Sequence, residues 1–115
     1  VRSIRQRLMA GLALLALAAC SDSTAKAREV SLPVLVDQAG QLDGSRLATQ
    51  GKVRHFEDPL HYWIEDEDLN RVEIFPHERI APHLGETVRV IGVFEYSPSR
   101  GRRLTLESVE PVGER

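Results

Sequence analysis

From Ser45 onward the apolar residues recur at every second position, a period that admits half-buried strands and excludes amphipathic helices. In SRLATQGKVRHF the inward set is Leu47, Thr49, Gly51 and Val53, and in LHYWIED it is Leu60, Tyr62 and Ile64. NRVEIF continues with Val72 and Ile74, ETVRVIGVFEY with Val88, Val90, Gly92 and Phe94, and RRLTLESV with Leu104 and Leu106. The acidic EDEDLN and the short SPSRG separate neighbouring runs as turns. A glycine within a strand marks a bend or bulge, so Gly51 is expected where a sheet curls into a barrel. The chain has 115 residues, 42% of them hydrophobic and 28% charged, which suits one globular domain rather than two.

Five strands are predicted, and the only non-strand insert, PHERIAPHLG, lies between the third and the fourth. This order resembles the OB-fold, a five-stranded Greek-key barrel. The resemblance covers residues 31–112 and rests on LDGSRLATQGKV, YWIED and GETVRVIGVF. On these segments the chain is similar to small exported bacterial OB-fold lipoproteins and to the tRNA-anticodon-binding type of OB domain. An SH3-like barrel matches the strand count but leaves the insert unexplained. Ahead of the barrel, Ser31 is a good N-cap and Pro33 suits a first helical turn, while Leu32, Leu35 and Val36 share a face. A short helix over 32–39, stopped at Gly40, is expected. The fold class is therefore all-β with one or two short helices.

The first residues have a different character. Arg2, Arg5 and Arg7 precede the uncharged run Leu8–Ala19, which at about twelve residues is too short to span a bilayer as a helix but has the build of a secretory signal. Leu17, Ala18, Ala19 and Cys20 resemble the lipobox of bacterial lipoproteins, which implies lipidation of Cys20 and cleavage before it. An ordinary signal with an incidental cysteine is the alternative, yet a single exported thiol has no disulfide partner. Ser21 at the next position resembles the outer-membrane sorting pattern. The expected organisation is a signal peptide at 1–19, a lipidated cysteine and tether at 20–30, and the OB domain at 31–115.

Loss of Arg2, Arg5 and Arg7 leaves 12 of the 15 basic residues against 17 acidic ones, a net charge of −5. An acidic mature chain weighs against nucleic acid as partner, and against attraction to an anionic bilayer surface beyond the lipid itself.

An OB-fold offers the outer face of its second and third strands to ligands. The parity opposite to the core places Lys52, Arg54 and Phe56 there from the first strand, His61, Trp63 and Glu65 from the second, and Glu73 and Phe75 from the third. Flat rings with cations between them can stack on bases, sugars or an extended peptide. Two plainer readings compete: Trp63 packs beneath the helix at 32–39, or Lys52 and Arg54 simply pair with Glu65 and Glu73 across the sheet.

His55, His61, His77 and His83 lie near Glu57, Asp58 and Glu78, but no HExxH or paired CxxC spacing is present. Solvated loop histidines are the expectation, and no metal or other cofactor is assigned. The haem chaperone of cytochrome c maturation is also an exported OB-fold protein, but its His-x-x-x-Tyr attachment motif is missing here. No serine sits in a GxSxG or SxxK setting, so an enzyme is not expected. The sequence reads as a lipid-anchored binding or adaptor module of the periplasm, for a protein segment, a glycan or another envelope ligand. Single-stranded nucleic-acid binding is the second reading, and metal or haem carriage the third.

Overall fold

The computed structural model describes residues 27–113, so Cys20 and the signal segment lie outside the described residues. The chain enters through a two-residue strand, β1 (Arg28–Glu29), followed by helices α1 (Leu32–Asp37) and α2 (Ala39–Leu42). The barrel strands are β2 (Arg46–Glu57), β3 (Leu60–Glu65), β4 (Arg71–Phe75), β5 (Thr87–Ser97) and β6 (Gly101–Pro111). Helix α3 (His77–Ile80) and a 3₁₀ turn (Ala81–His83) fill the connection from β4 to β5, where the non-strand insert was expected. No helix of the described residues is long and apolar enough to cross a membrane.

The sheet runs β1-β2-β3-β4-β6-β5, and β5 returns to pair with β2, closing a five-stranded barrel. All barrel pairings are antiparallel except β4 with β6. β2 belongs to both halves of the wall, because Arg46–Lys52 pairs with β5 while Lys52–Glu57 pairs with β3. β1 lies parallel to β2 opposite Leu47 and Ala48, on a stretch that β3 does not reach.

The predicted inward sets fill the core. Leu47, Val53, Ile64, Val72, Ile74, Val88, Val90, Phe94 and Leu104 are at most 1% exposed. Both mid-strand glycines are demanded by backbone crowding. A Cβ on Gly51 would stand 2.8 Å from the Glu65 carbonyl oxygen and 2.9 Å from Leu32 Cδ1, where β2 passes from one partner strand to the other. A Cβ on Gly92 would stand 2.1 Å from the Thr105 carbonyl oxygen. The register shift that bends the barrel falls at Ile91/Gly92, not at Gly51.

Several expectations are corrected. The helix expected over 32–39 is two shorter ones, broken at Gln38, and Gly40 lies inside the second rather than ending the first. Their buried side chains are Leu32, Leu35, Ala39 and Leu42, while Val36 is half-exposed. Ser31 stands at the N-cap with extended backbone but makes no side-chain cap bond. Ahead of Ser31, Arg28 and Glu29 pair with β2 and Val30 is buried. Leu60, expected inside, is 48% exposed because β3 starts beyond the last filled layer of the core.

Candidate functional site

The outer face of β2, β3 and β4 brings together all six sequence-predicted binding residues that lie on it. Cross-strand register sets Lys52 against Glu65, Arg54 against Trp63 and Phe56 against His61, and then Trp63 against Glu73. Phe75 follows on β4, opposite Thr105 of β6. Alternation along each strand is what points these side chains outward while their neighbours fill the core.

The rings form a row. Phe56 and His61 are 6.0 Å apart between centroids, and His61 and Trp63 are 5.1 Å apart. His61 Nδ1 donates to the Pro59 carbonyl at 2.8 Å, which fixes the imidazole against the β2–β3 turn and leaves Nε2 outside that bond. Phe56 is 56% exposed, whereas Trp63 is half-buried. Trp63 does not pack beneath α1 or α2. The Arg71 guanidinium lies over its ring at 4.6 Å, and Arg103 lies over Phe75 at 4.4 Å. Such cation–π contacts contribute about 0.5–1 kcal/mol each at exposed sites.

Glu65 organises this face. Its Oε1 accepts from Trp63 Nε1 at 2.9 Å and from Arg71 Nη2 at 3.2 Å, while Oε2 faces Arg54 Nε at 3.2 Å. The carboxylate side chain is only 10% exposed, so two guanidiniums and an indole N–H replace its water. The expected cross-strand pairing of Arg54 with Glu65 is therefore present, whereas Lys52 makes no ion pair among the described residues. Pairing and platform are not alternatives here, because the carboxylate that neutralises Arg54 also holds the indole.

Two shallow grooves meet at Trp63. One, about 380 Å³, lies between Arg54, His55, Leu84 and Gly85; the other, about 180 Å³, lies between His61, Arg71, Glu73, Arg100 and Arg102. Arg102 Nε donates to the Arg71 carbonyl at 2.9 Å, tying the start of β6 to β4 beneath the second groove. Arg71, Leu84, Arg100, Arg102 and Arg103 were not among the sequence-predicted site residues. Arg71 shares the parity of Glu73 and Phe75, so the alternation did contain a signal for it. Leu84 and Arg100 sit in connections, where no periodicity applies.

A second ring series lies at the barrel mouth. His55 stacks on Tyr62 at 5.4 Å, Tyr62 meets His77 at 5.5 Å, and His77 stacks on Phe75 at 5.3 Å. His55 Nε2 is 3.0 Å from Glu57, and His83 Nδ1 is 2.9 Å from Glu86. Among the described residues no three His, Cys, Asp or Glu side chains are grouped to share a metal ion.

The β3–β4 turn closes one end of the face. Asp66 Oδ1 accepts from the Asp68 and Asn70 backbone N–H groups at 2.9 and 3.0 Å, and Asn70 Nδ2 donates to Oδ2 at 3.0 Å. The Asn70 amide, ahead of the backbone bonds, holds the Asp66 carboxyl below its ordinary pKa, partly opposed by desolvation. Leu69 takes a left-handed conformation, φ 64°, at the tip.

No family model and no curated protein matches the sequence. Solved structures do match in shape. The hypothetical protein ygiW from E. coli aligns over 77% of this chain and 92% of its own, with a TM-score of 0.52 and 15% identity. OBody AM1L10, in its structure bound to hen egg-white lysozyme, aligns over 65% of this chain and 85% of its own, with a TM-score of 0.50 and 17% identity. At such identities the likeness establishes the fold: a small OB-like five-stranded barrel.

Proposed function

We propose that this chain is a lipid-anchored binding module of the bacterial envelope, held through Cys20 at the periplasmic side of the outer membrane, which captures a protein segment, a glycan or another envelope ligand on the outer face of β2–β4. The observation that carries the reading is Trp63. Its ring is half-exposed on a sheet face, fixed by an indole bond to Glu65 and covered on one side by Arg71. A large ring immobilised at the meeting point of two grooves loses little further freedom when a ligand stacks on it. The exposed Phe56 extends the same row. A barrel of the same shape, the OBody, is bound to a folded protein, so the fold can present enough surface for a protein partner.

A photo-crosslinking residue at position 61 or 56, in cells, tests the reading. Crosslinks to one envelope component, lost in a Trp63→Ala background, are expected; crosslinks indifferent to Trp63 would remove the ring from the site. The anchor is tested separately: Cys20→Ala is expected to abolish fatty-acid labelling, and label retained by the variant would end the lipoprotein assignment. Single-stranded nucleic acid is the second reading, favoured by Arg54, Arg71 and Arg103 standing beside rings. It requires binding that falls steeply as salt rises, since phosphate contacts release counterions.

A further inference from the structure

We propose that the groove between Trp63 and the β5–β6 loop receives a carboxylate of an acidic, extended polypeptide segment whose preceding residues cross the sheet over Trp63 toward Leu84; this rests on the outer face being the binding surface. The two grooves that meet at the indole differ in chemistry. Toward β5 the track ends at Leu84, 45% exposed, and toward β6 it ends among Arg71, Arg100 and Arg102. A ligand that fills both is apolar at one end and anionic at the other.

The cationic end is set up in advance. Arg71 is held by Glu65 at one terminal nitrogen and by the Trp63 ring beneath it, so its plane is fixed before a ligand arrives. Arg102 is tied through Nε to the Arg71 carbonyl, which leaves its terminal nitrogens outside that bond. Arg100, at the loop tip, is exposed and its side chain has no ion-pair partner among the described residues. Guanidiniums with a fixed plane favour a carboxylate through paired N–H donors.

Glu73 decides which anionic ligand fits. It lines the cationic groove beside Trp63 and forms no ion pair among the described residues. A nucleic-acid strand would bring a phosphate for every nucleotide past this carboxylate, with no backbone N–H to offer it. A polypeptide brings N–H groups that donate to Glu73, carries its negative charge only at one end, and can seat an apolar side chain at Leu84. The mature chain's net charge of −5 likewise repels a long polyanion more than a short segment with a charged end. From β2 across β3 and β4 to β6 is three strand spacings, about 14 Å, which about four extended residues span.

The sole tryptophan reports the test directly. The full chain in detergent is titrated with acetyl-Val-Leu-Gly-Ser-Asp-Glu, with the same peptide carrying Asn-Gln in place of Asp-Glu, both closed by a C-terminal amide so that only the side-chain carboxylates differ, with octathymidylate and with an oligogalacturonate, following Trp63 emission. The acidic peptide is expected to shift the emission, with affinity about tenfold weaker for the amide peptide and a similar loss for Arg100→Gln. Arg100 is exposed, so that variant keeps the fold. Equal binding of both peptides, tighter binding of octathymidylate or of the oligogalacturonate, or no response to the acidic peptide overturns the inference. If it falls while crosslinks from position 61 still depend on Trp63, the binding face stands without it; if the crosslinks fail as well, the face itself is wrong.

Discussion

The two halves of the barrel wall are built differently. β5 and β6 pair along almost their full lengths, from Val88 opposite Pro111 to Ser97 opposite Gly101, and β5 is paired with β2 over Arg46–Lys52 on its other side. β3 and β4 share only three register pairs, Trp63 to Glu65 against Arg71 to Glu73, and β4 meets β6 over three more. The long wall is held by its ladder of backbone bonds, to which exposed ion pairs of Arg46 with Glu107 and of Arg89 with Glu29 are added. The short wall compensates with side chains: the Glu65 hub, the indole and the two guanidiniums sit where the ladder is brief. The proposed binding face lies on the short wall, so the residues that would contact a ligand are also the ones that hold β3 to β4.

That contrast can be broken most severely in the long wall. Gly92→Ala places a methyl 2.1 Å from the Thr105 carbonyl oxygen, between two strands that cannot part without unpairing. Loss of a cooperative thermal transition is expected, beyond the roughly 1–3 kcal/mol of ordinary overpacking. Gly51→Ala, facing Glu65 O at 2.8 Å and the movable end of Leu32 at 2.9 Å, should stay within that range and still melt cooperatively. If both variants melt alike, the crowding at Gly92 is no harder to relieve than that at Gly51.

Within the short wall, inside and outside can be separated. Ile64, fully buried, should lose about 2–5 kcal/mol on truncation to Ala, measured by denaturant unfolding. Trp63→Ala, half-exposed, should lose about 1–2 kcal/mol and leave a folded barrel that no longer crosslinks. Trp63→Ala proving the more damaging would put the ring in the structural role alone. Glu65→Gln keeps the shape but removes the charge between Arg54 and Arg71. A loss of about 1 kcal/mol is expected, together with a changed indole environment in the near-ultraviolet circular dichroism.

The smallest effect belongs to the turn that ends the face. Because Asp66 has a lower pKa folded than unfolded, its contribution is complete above the ordinary carboxylate range and disappears as pH falls through the folded value. Asn70→Ala removes the largest cause of that depression, so the Asp66 carboxyl should titrate at higher pH, as read by carbon-detected NMR. An unmoved titration would mean that the backbone N–H groups alone hold it down.

The inner residues of all five strands were legible because their period comes from the backbone itself and needs no knowledge of neighbours. Leu60 was not, since whether an alternating residue is covered depends on where the turn cuts the strand relative to the core layers. The two short helices looked like one because Leu32, Leu35 and Val36 keep a helical spacing and nothing in that spacing marks the break at Gln38. On the outer face the parity of Lys52, Arg54, Phe56, His61, Trp63 and Phe75 was readable from alternation, and Arg71 could have been added by the same rule. Arg100 and Leu84 come to the face only through barrel closure, which brings two connections distant in sequence to opposite ends of one track.

Each of the five barrel strands has a neighbour on both sides over part of its length, and among the described residues the outer edge belongs to β1, two residues long and carrying Arg28 and Glu29. Around Trp63–Glu65 a visiting chain meets backbone already paired with β2 on one side and β4 on the other. Recognition at that spot is written in side chains, on positions whose Cβ points away from the core. Such positions can be rewritten one at a time without disturbing the barrel's interior, so descendants of this fold can change partners by a few surface substitutions. The same freedom allows one barrel shape to be shared by chains that are 15–17% identical.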